Sequence, residues 1–269
     1  MAFFDEKKLH LRAMGFCGAD DTCCPEQMQL LSSHYPWIEW GILFRPDLEG
    51  TPRYASKLWV DKLCSVNKSA GEHMRLAGHL CQLRCQEVLE GDSTFVAELK
   101  SNGFNRVQIN ATAANSVQVD KTKLEYYVQN IINVMNAVPT LEFIIQCNEE
   151  TEPLWSKLIE SPAKNMSLLF DASCGKGILA TTFPAPMAGI PCGYAGGMGP
   201  KNIEDVLDSV RTAADGKPVW IDMESSLRTI IIGDGGNRED TFSIDKCFKC
   251  ILAGINAGLP VAKFSVLSI

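Results

Sequence analysis

Three short apolar runs in the second half of the chain each end in residues equipped for chemistry. Leu168-Leu169-Phe170 runs into Asp171, then Ala172-Ser173, with Gly175-Lys176-Gly177 directly after. Tyr194-Ala195 leads into Gly196-Gly197, and Met198-Gly199-Pro200-Lys201-Asn202 opens an amphipathic stretch. Val219-Trp220-Ile221 stops at Asp222, followed by Met223 and by Glu224-Ser225-Ser226. Carboxyl groups act as general acids and bases or as ligands for hard cations. A glycine turn ahead of a helix offers backbone N–H groups to an anion such as phosphate. Strand, loop and helix in that order place such residues at the carboxyl ends of parallel strands, where α/β barrels keep catalytic and phosphate-binding groups. Period-two alternation puts Asp222 and Glu224 on one face, both looking into the mouth.

The elements that must position these groups follow from periodicity. Apolar runs predict strands at Leu11–Phe16, Ile38–Phe44, Arg75–Cys81, Arg106–Asn110, Glu142–Cys147, Ser167–Asp171, Pro191–Ala195 and Pro218–Met223. Helical spacing is clearest at Lys121–Ala137, with Leu124, Val128, Ile131, Ile132 and Met135 on one face. Further helices are predicted at Pro25–Ser33, at Glu204–Ala214 behind the N-cap candidate Asn202, and at Ser243–Ala257. Eight strands, each followed by a helix, predict a closed (β/α)8 TIM barrel spanning residues 1–269 as a single domain. No repeat, low-complexity tract or linker divides it.

Bulk composition narrows the function classes. The 269 residues carry a formal charge of -7 without a basic block, which argues against a general nucleic-acid binder. Hydrophobic residues at 46% and charged ones at 21% fit a globular protein able to bury a large core. The start, Met1-Ala2-Phe3-Phe4-Asp5-Glu6-Lys7-Lys8, lacks the apolar run of a signal peptide, and no stretch is long enough to span a membrane. Eleven cysteines, an odd count at irregular spacing, favour free thiols in a reducing, cytoplasmic setting. Cys247 and Cys250, Cys81 and Cys85, and the adjacent Cys23 and Cys24 lack a second pair at zinc-ribbon spacing and read as packing residues. Gly175-x-Gly177 and Gly233-x-Gly235-Gly236 have no helix immediately after them, as a dinucleotide site requires. His10, His34, His73 and His79 show no ligand-like spacing.

The order of motifs resembles the phosphoribosylanthranilate isomerases of tryptophan biosynthesis across nearly the whole chain. Phe16-Cys17-Gly18 looks like that family's Cys-Gly after the first strand. Trp40-Gly41-Ile42-Leu43-Phe44-Arg45-Pro46, with Pro52-Arg53-Tyr54 beyond, resembles its second strand and Arg-Tyr loop. Val107-Gln108-Ile109-Asn110 stands where the family has Val-Gln-Leu-His. The Asp171 strand, the Gly196-Gly197 loop with Pro200 and Asn202, and the Asp222 strand then follow in order. The resemblance implies a (β/α)8 barrel and an Amadori rearrangement of a phosphorylated aminosugar, without cofactor or metal. It makes Cys17 the base and Asp171 the acid. Gly196, Gly197, Asp222, Ser225 and Ser226 fall in its phosphate and substrate region, with Arg53 as an anchor for an anionic group.

Several positions depart from the pattern, Glu224, Ser226, Asn110 and Gly15 among them. The family's Asp-Val-Ser-Ser-Gly after the last strand reads Asp222-Met223-Glu224-Ser225-Ser226 here. A carboxylate about 4 Å from a phosphate oxygen costs on the order of 4 kcal/mol per charge pair at a moderate effective dielectric. Arg228 and Lys201 are the cations expected to compensate. The family histidine is Asn110, and the lysine before Cys-Gly is Gly15. Two alternatives follow: a diverged barrel that binds a small anion or a protein partner without turnover, or a metal-dependent lyase or aldolase using Asp171, Asp222 and Glu224.

Overall fold

The protein is described by a computed structural model covering residues 9–171, 177, 182–232, 236 and 238–262. Met1–Lys8, Gly175-Lys176 and Gly233-Asp234-Gly235 lie outside those residues, as does Asn237. Eight parallel strands pair in sequence order and close on themselves. They are β1 (Leu11–Cys17), β2 (Ile38–Phe44), β3 (Arg75–Leu80), β4 (Arg106–Ile109), β5 (Glu142–Cys147), β6 (Met166–Phe170), β7 (Cys192–Ala195) and β8 (Val219–Met223). The barrel shuts where Gly15 of β1 meets Asp222 of β8.

Helices α1 (Pro25–His34), α2 (Lys57–Ser69), α3 (Leu83–Leu89), α4 (Thr94–Ser101), α5 (Leu124–Ala137), α6 (Glu152–Leu158), α7 (Ile203–Ala214) and α8 (Ile244–Asn256) clothe the outside. The expectation of a helix after every strand fails once: none occurs between β6 and β7 among the described residues. A two-stranded antiparallel hairpin, β9 (Arg228–Ile232) with β10 (Arg238–Phe242), accounts for the insertion after β8. Among the described residues no helix is long and apolar enough to cross a membrane.

Strand alternation sorts the side chains. On β2, Ile38, Trp40 and Ile42 join the main core between sheet and helices, while Leu43 packs inward with Cys17 and Cys81. The inward set is unusually polar for a barrel, whose interior is ordinarily filled by branched aliphatics. Arg106 sits at the bottom with 2% exposure, bonded to Glu39 at 2.5 Å and to Glu142 at 3.4 Å. Its guanidinium lies 4.4 Å over the Trp220 ring. Trp220 fits only because Gly193 faces it on β7: a Cβ there would come within 2.2 Å of the indole.

Candidate active site

A cavity of about 370 Å3 opens at the carboxyl ends of the strands. Asp171 (after β6), Gly196 and Gly197 (after β7), and Asp222, Glu224, Ser225 and Ser226 (on and after β8) all line it, together with Arg53 from the loop after β2. Of the expected site residues only Cys17 is absent from the lining. Amide side chains complete the wall: Gln108, Asn110, Asn115 and Gln146.

Each acid is held differently. Gln146 Nε2 donates to Asp171 Oδ2 at 2.7 Å, which fixes the carboxyl against the wall. Glu224 accepts from Arg53 at 3.0 Å, and burial raises its pKa above the ordinary carboxylate value despite that guanidinium. Asp222 is pushed well up, first by burial and then by Glu39 and Glu224, with Arg106 pulling the other way. The expected metal trio of Asp171, Asp222 and Glu224 therefore shares a cavity but not a ligand cluster. Among the described residues the side chains at metal-ligand spacing are Cys17, His79 and Asp222.

Cys17 is 1% exposed at the end of β1, walled by Leu43 and Cys81. Its Sγ lies 3.3 Å from His79 Nδ1. Burial, then Asp222 and Glu224, push its pKa well above the ordinary thiol value. This runs against the thiolate that a base at this position needs. His79, which sequence reading set aside, lines the cavity. Burial, aided by the charge of Arg106, brings its pKa down to about 3, so the imidazole is neutral.

Arg53 adopts φ +78°, a left-handed backbone uncommon for any residue but glycine, and Asp20 secures it by accepting the Arg53 N–H at 2.7 Å. Asp20 in turn pairs with Arg228 at 2.8 Å. Arg228 is wholly consumed there, bonding Asp240 at 2.5 Å and the Gly18 carbonyl at 2.8 Å. Its charge still favours the Glu224 carboxylate, after that of Arg53, but from outside the cavity lining, where exposed Lys201 also stays.

Gly196 (φ +107°) and Gly197 (φ +61°) turn the chain in a way that L side chains resist. Part of the phosphate cradle is already engaged: Gly199 N–H donates to Asn202 Oδ1 at 2.9 Å, and the Ser226 hydroxyl donates to the Met198 carbonyl. Gly177 lines the cavity near Ser225. All ten described cysteines are free, and Cys247 and Cys250 are packing residues on the buried face of α8.

No family model and no curated protein matches the sequence. Among solved structures, a native KDPGal structure is similar at 11% identity and a TM-score of 0.43, covering 93% of this chain and 96% of that one. Dihydrodipicolinate synthase from Agrobacterium tumefaciens str. C58 is similar at 15% identity and a TM-score of 0.45, over 81% of this chain and 70% of that one. A complex of GH113 β-1,4-mannanase is similar at 6% identity and a TM-score of 0.47, over 93% and 99%. At such identities and TM-scores none of these likenesses bears on the chemistry of this chain.

Proposed function

We propose that the barrel mouth is the active site of an acid/base isomerase that converts a small phosphorylated aminosugar from its aldose to its ketose form. The observation that supports it best is the meeting in one cavity of Asp171, the Gly196-Gly197 turn, Arg53 and Ser225-Ser226, drawn from loops far apart in the chain. The reaction needs a proton donor for the ring oxygen and an acceptor for the proton on the neighbouring carbon. Asp171, oriented by Gln146, is the donor. The acceptor role passes from Cys17, which is buried outside the cavity lining, to Glu224, a carboxylate within that lining. The backbone N–H groups of residues 196 and 197 receive the phosphate, and Arg53 holds a second anionic or hydroxyl group.

Turnover of phosphoribosylanthranilate by the purified protein tests the proposal, with product followed by chromatography. Asp171→Asn should abolish turnover with the fold intact by circular dichroism, and Arg53→Met should raise KM more than it lowers kcat. A wild-type protein that neither turns over nor binds a phosphorylated aminosugar would overturn it.

A further inference from the structure

We propose that Cys17, His79 and Asp222 form a binding site for a borderline divalent cation, Zn2+ foremost, at the floor of the barrel cavity, with a coordination position open toward the cavity. The inference does not depend on the isomerase reading. It begins with geometry: one ligand atom from each of the three side chains lies within 4.8 Å of the other two. The Cys17 Sγ to His79 Nδ1 separation is 3.3 Å. Tetrahedral Zn2+, with sulfur at about 2.3 Å and nitrogen at about 2.0 Å, requires roughly 3.5 Å between those two atoms. The remaining ligand pairs come to that span by side-chain rotations of about 1 Å.

The backbone around the three side chains carries a second, independent observation. Cys17 stands on β1 and His79 on β3, so β2 lies between them. They meet because position 41 on β2 is glycine. A Cβ there would sit 2.8 Å from His79 Nε2 and 2.9 Å from Cys17 Cβ. On the other side, a Cβ at Gly15 would sit 2.3 Å from Asp222 Oδ1. Two glycines on adjacent strands therefore leave the space that these three side chains occupy. The half-buried Asp222 carboxyl faces the cavity. Arg106, the nearby cation, is already bonded to Glu39 and Glu142.

Ligand chemistry selects the ion. One thiolate, one imidazole and one carboxylate suit Zn2+, Co2+ or Fe2+, whereas Mg2+ and Ca2+ take oxygen ligands almost alone. Three protein ligands rather than four are the arrangement of zinc sites that keep a position for water or substrate. His79 and Asp222 both line the cavity while Cys17 lies behind them, so the fourth position faces the open side.

The test is a Co2+ titration of the full-length protein after treatment with a chelator. Binding should saturate at one ion per chain, with a thiolate-to-cobalt charge-transfer band in the near ultraviolet and intense visible bands of tetrahedral cobalt. Zn2+ should displace it, and Mg2+ should not. Cys17→Ser should remove the charge-transfer band, while His79→Gln and Asp222→Asn should each weaken binding at least about tenfold. Cys250→Ala, which disrupts the C-x-x-C pair on α8, should leave the spectrum unchanged. Should Cys17→Ser unfold, the His79→Gln variant still decides, with folding verified by circular dichroism. No thiolate band, a band that survives Cys17→Ser or His79→Gln, or one that disappears in Cys250→Ala would overturn the proposal.

Discussion

Replacing Glu224 by Gln should tighten the binding of phosphate at the mouth. Among the described residues lining the cavity, Asp171, Asp222 and Glu224 face a single guanidinium, Arg53, and Glu224 occupies it at 3.0 Å. A phosphate on the Gly196-Gly197 turn roughly 6 Å from Glu224 would meet about 3 kcal/mol of repulsion per charge at an effective dielectric near 20. The Arg53 and Glu224 side chains are 30% and 34% exposed, so solvent screens much of that repulsion. About 1 kcal/mol per charge, or about 2 kcal/mol for a dianion, is the working figure after screening. Glu224→Gln keeps the shape, deletes the charge and frees Arg53, so affinity should rise about thirty-fold. Isothermal titration with ribose 5-phosphate, at fixed ionic strength and metal content, measures it, and Glu49→Gln outside the cavity controls for net charge. Unchanged or weaker binding in Glu224→Gln would refute both the electrostatic argument and the placement of the anion.

Arg228→Met should destabilise the protein by about 3–5 kcal/mol in urea unfolding, because it strands buried Asp20 without its cation and leaves Asp240 only the longer contact to exposed Arg238. A loss under about 1 kcal/mol would show that the network is dispensable. Gly193→Ala should cost about 1–3 kcal/mol by driving a methyl into Trp220, read from the same unfolding midpoints. Stability should also fall in alkali. Burial raises Cys23 and Cys250 from 9.0 to about 12, so their contribution is complete below pH 9 and declines as pH climbs through the folded value. The slope is at most about 1.4 kcal/mol per pH unit for each thiol, and Cys250→Ala should flatten it.

The barrel was legible because parallel strands buried on both faces read as short apolar runs. Ile38–Phe44 and Glu142–Cys147 match the observed strands end to end. Helices α2 and α6 were not, for identifiable reasons. The buried face of α2 mixes Trp59, Val60 and Leu63 with Asn67, whose side chain caps the Met74 N–H instead of facing water. Helix α6 has only seven residues, too few for periodicity to rise above chance. The cavity acids could be read because they end strands. His79 could not: on β3 it looks like any lone histidine, and the partner that gives it meaning is 62 residues away in the chain. Cys17 shows the converse failure. Sequence order located it at a strand end but carried no information about its depth, which Leu43 and Cys81 decide.

The charged floor of the barrel makes sense only in relation to that mouth. Glu39 Oε2, Arg106 Nε and Trp220 Nε1 are buried without partners, so the layer is a poor source of stability. A floor of aliphatic side chains would pack the same space without orphaned polar atoms. What such a floor lacks is a fixed positive charge below the site. Arg106 supplies that charge, held rigidly by Glu39, Glu142 and the Trp220 face. It works in the same sense on both residues above it, opposing a proton on His79 and favouring the carboxylate of Asp222. On Asp222 that pull is outweighed by burial and by Glu39 and Glu224, so its pKa still ends well above the ordinary carboxylate value. The layer thus helps to hold His79 neutral beneath the cavity, and the glycines at positions 15, 41 and 193 are what make room for the side chains packed there.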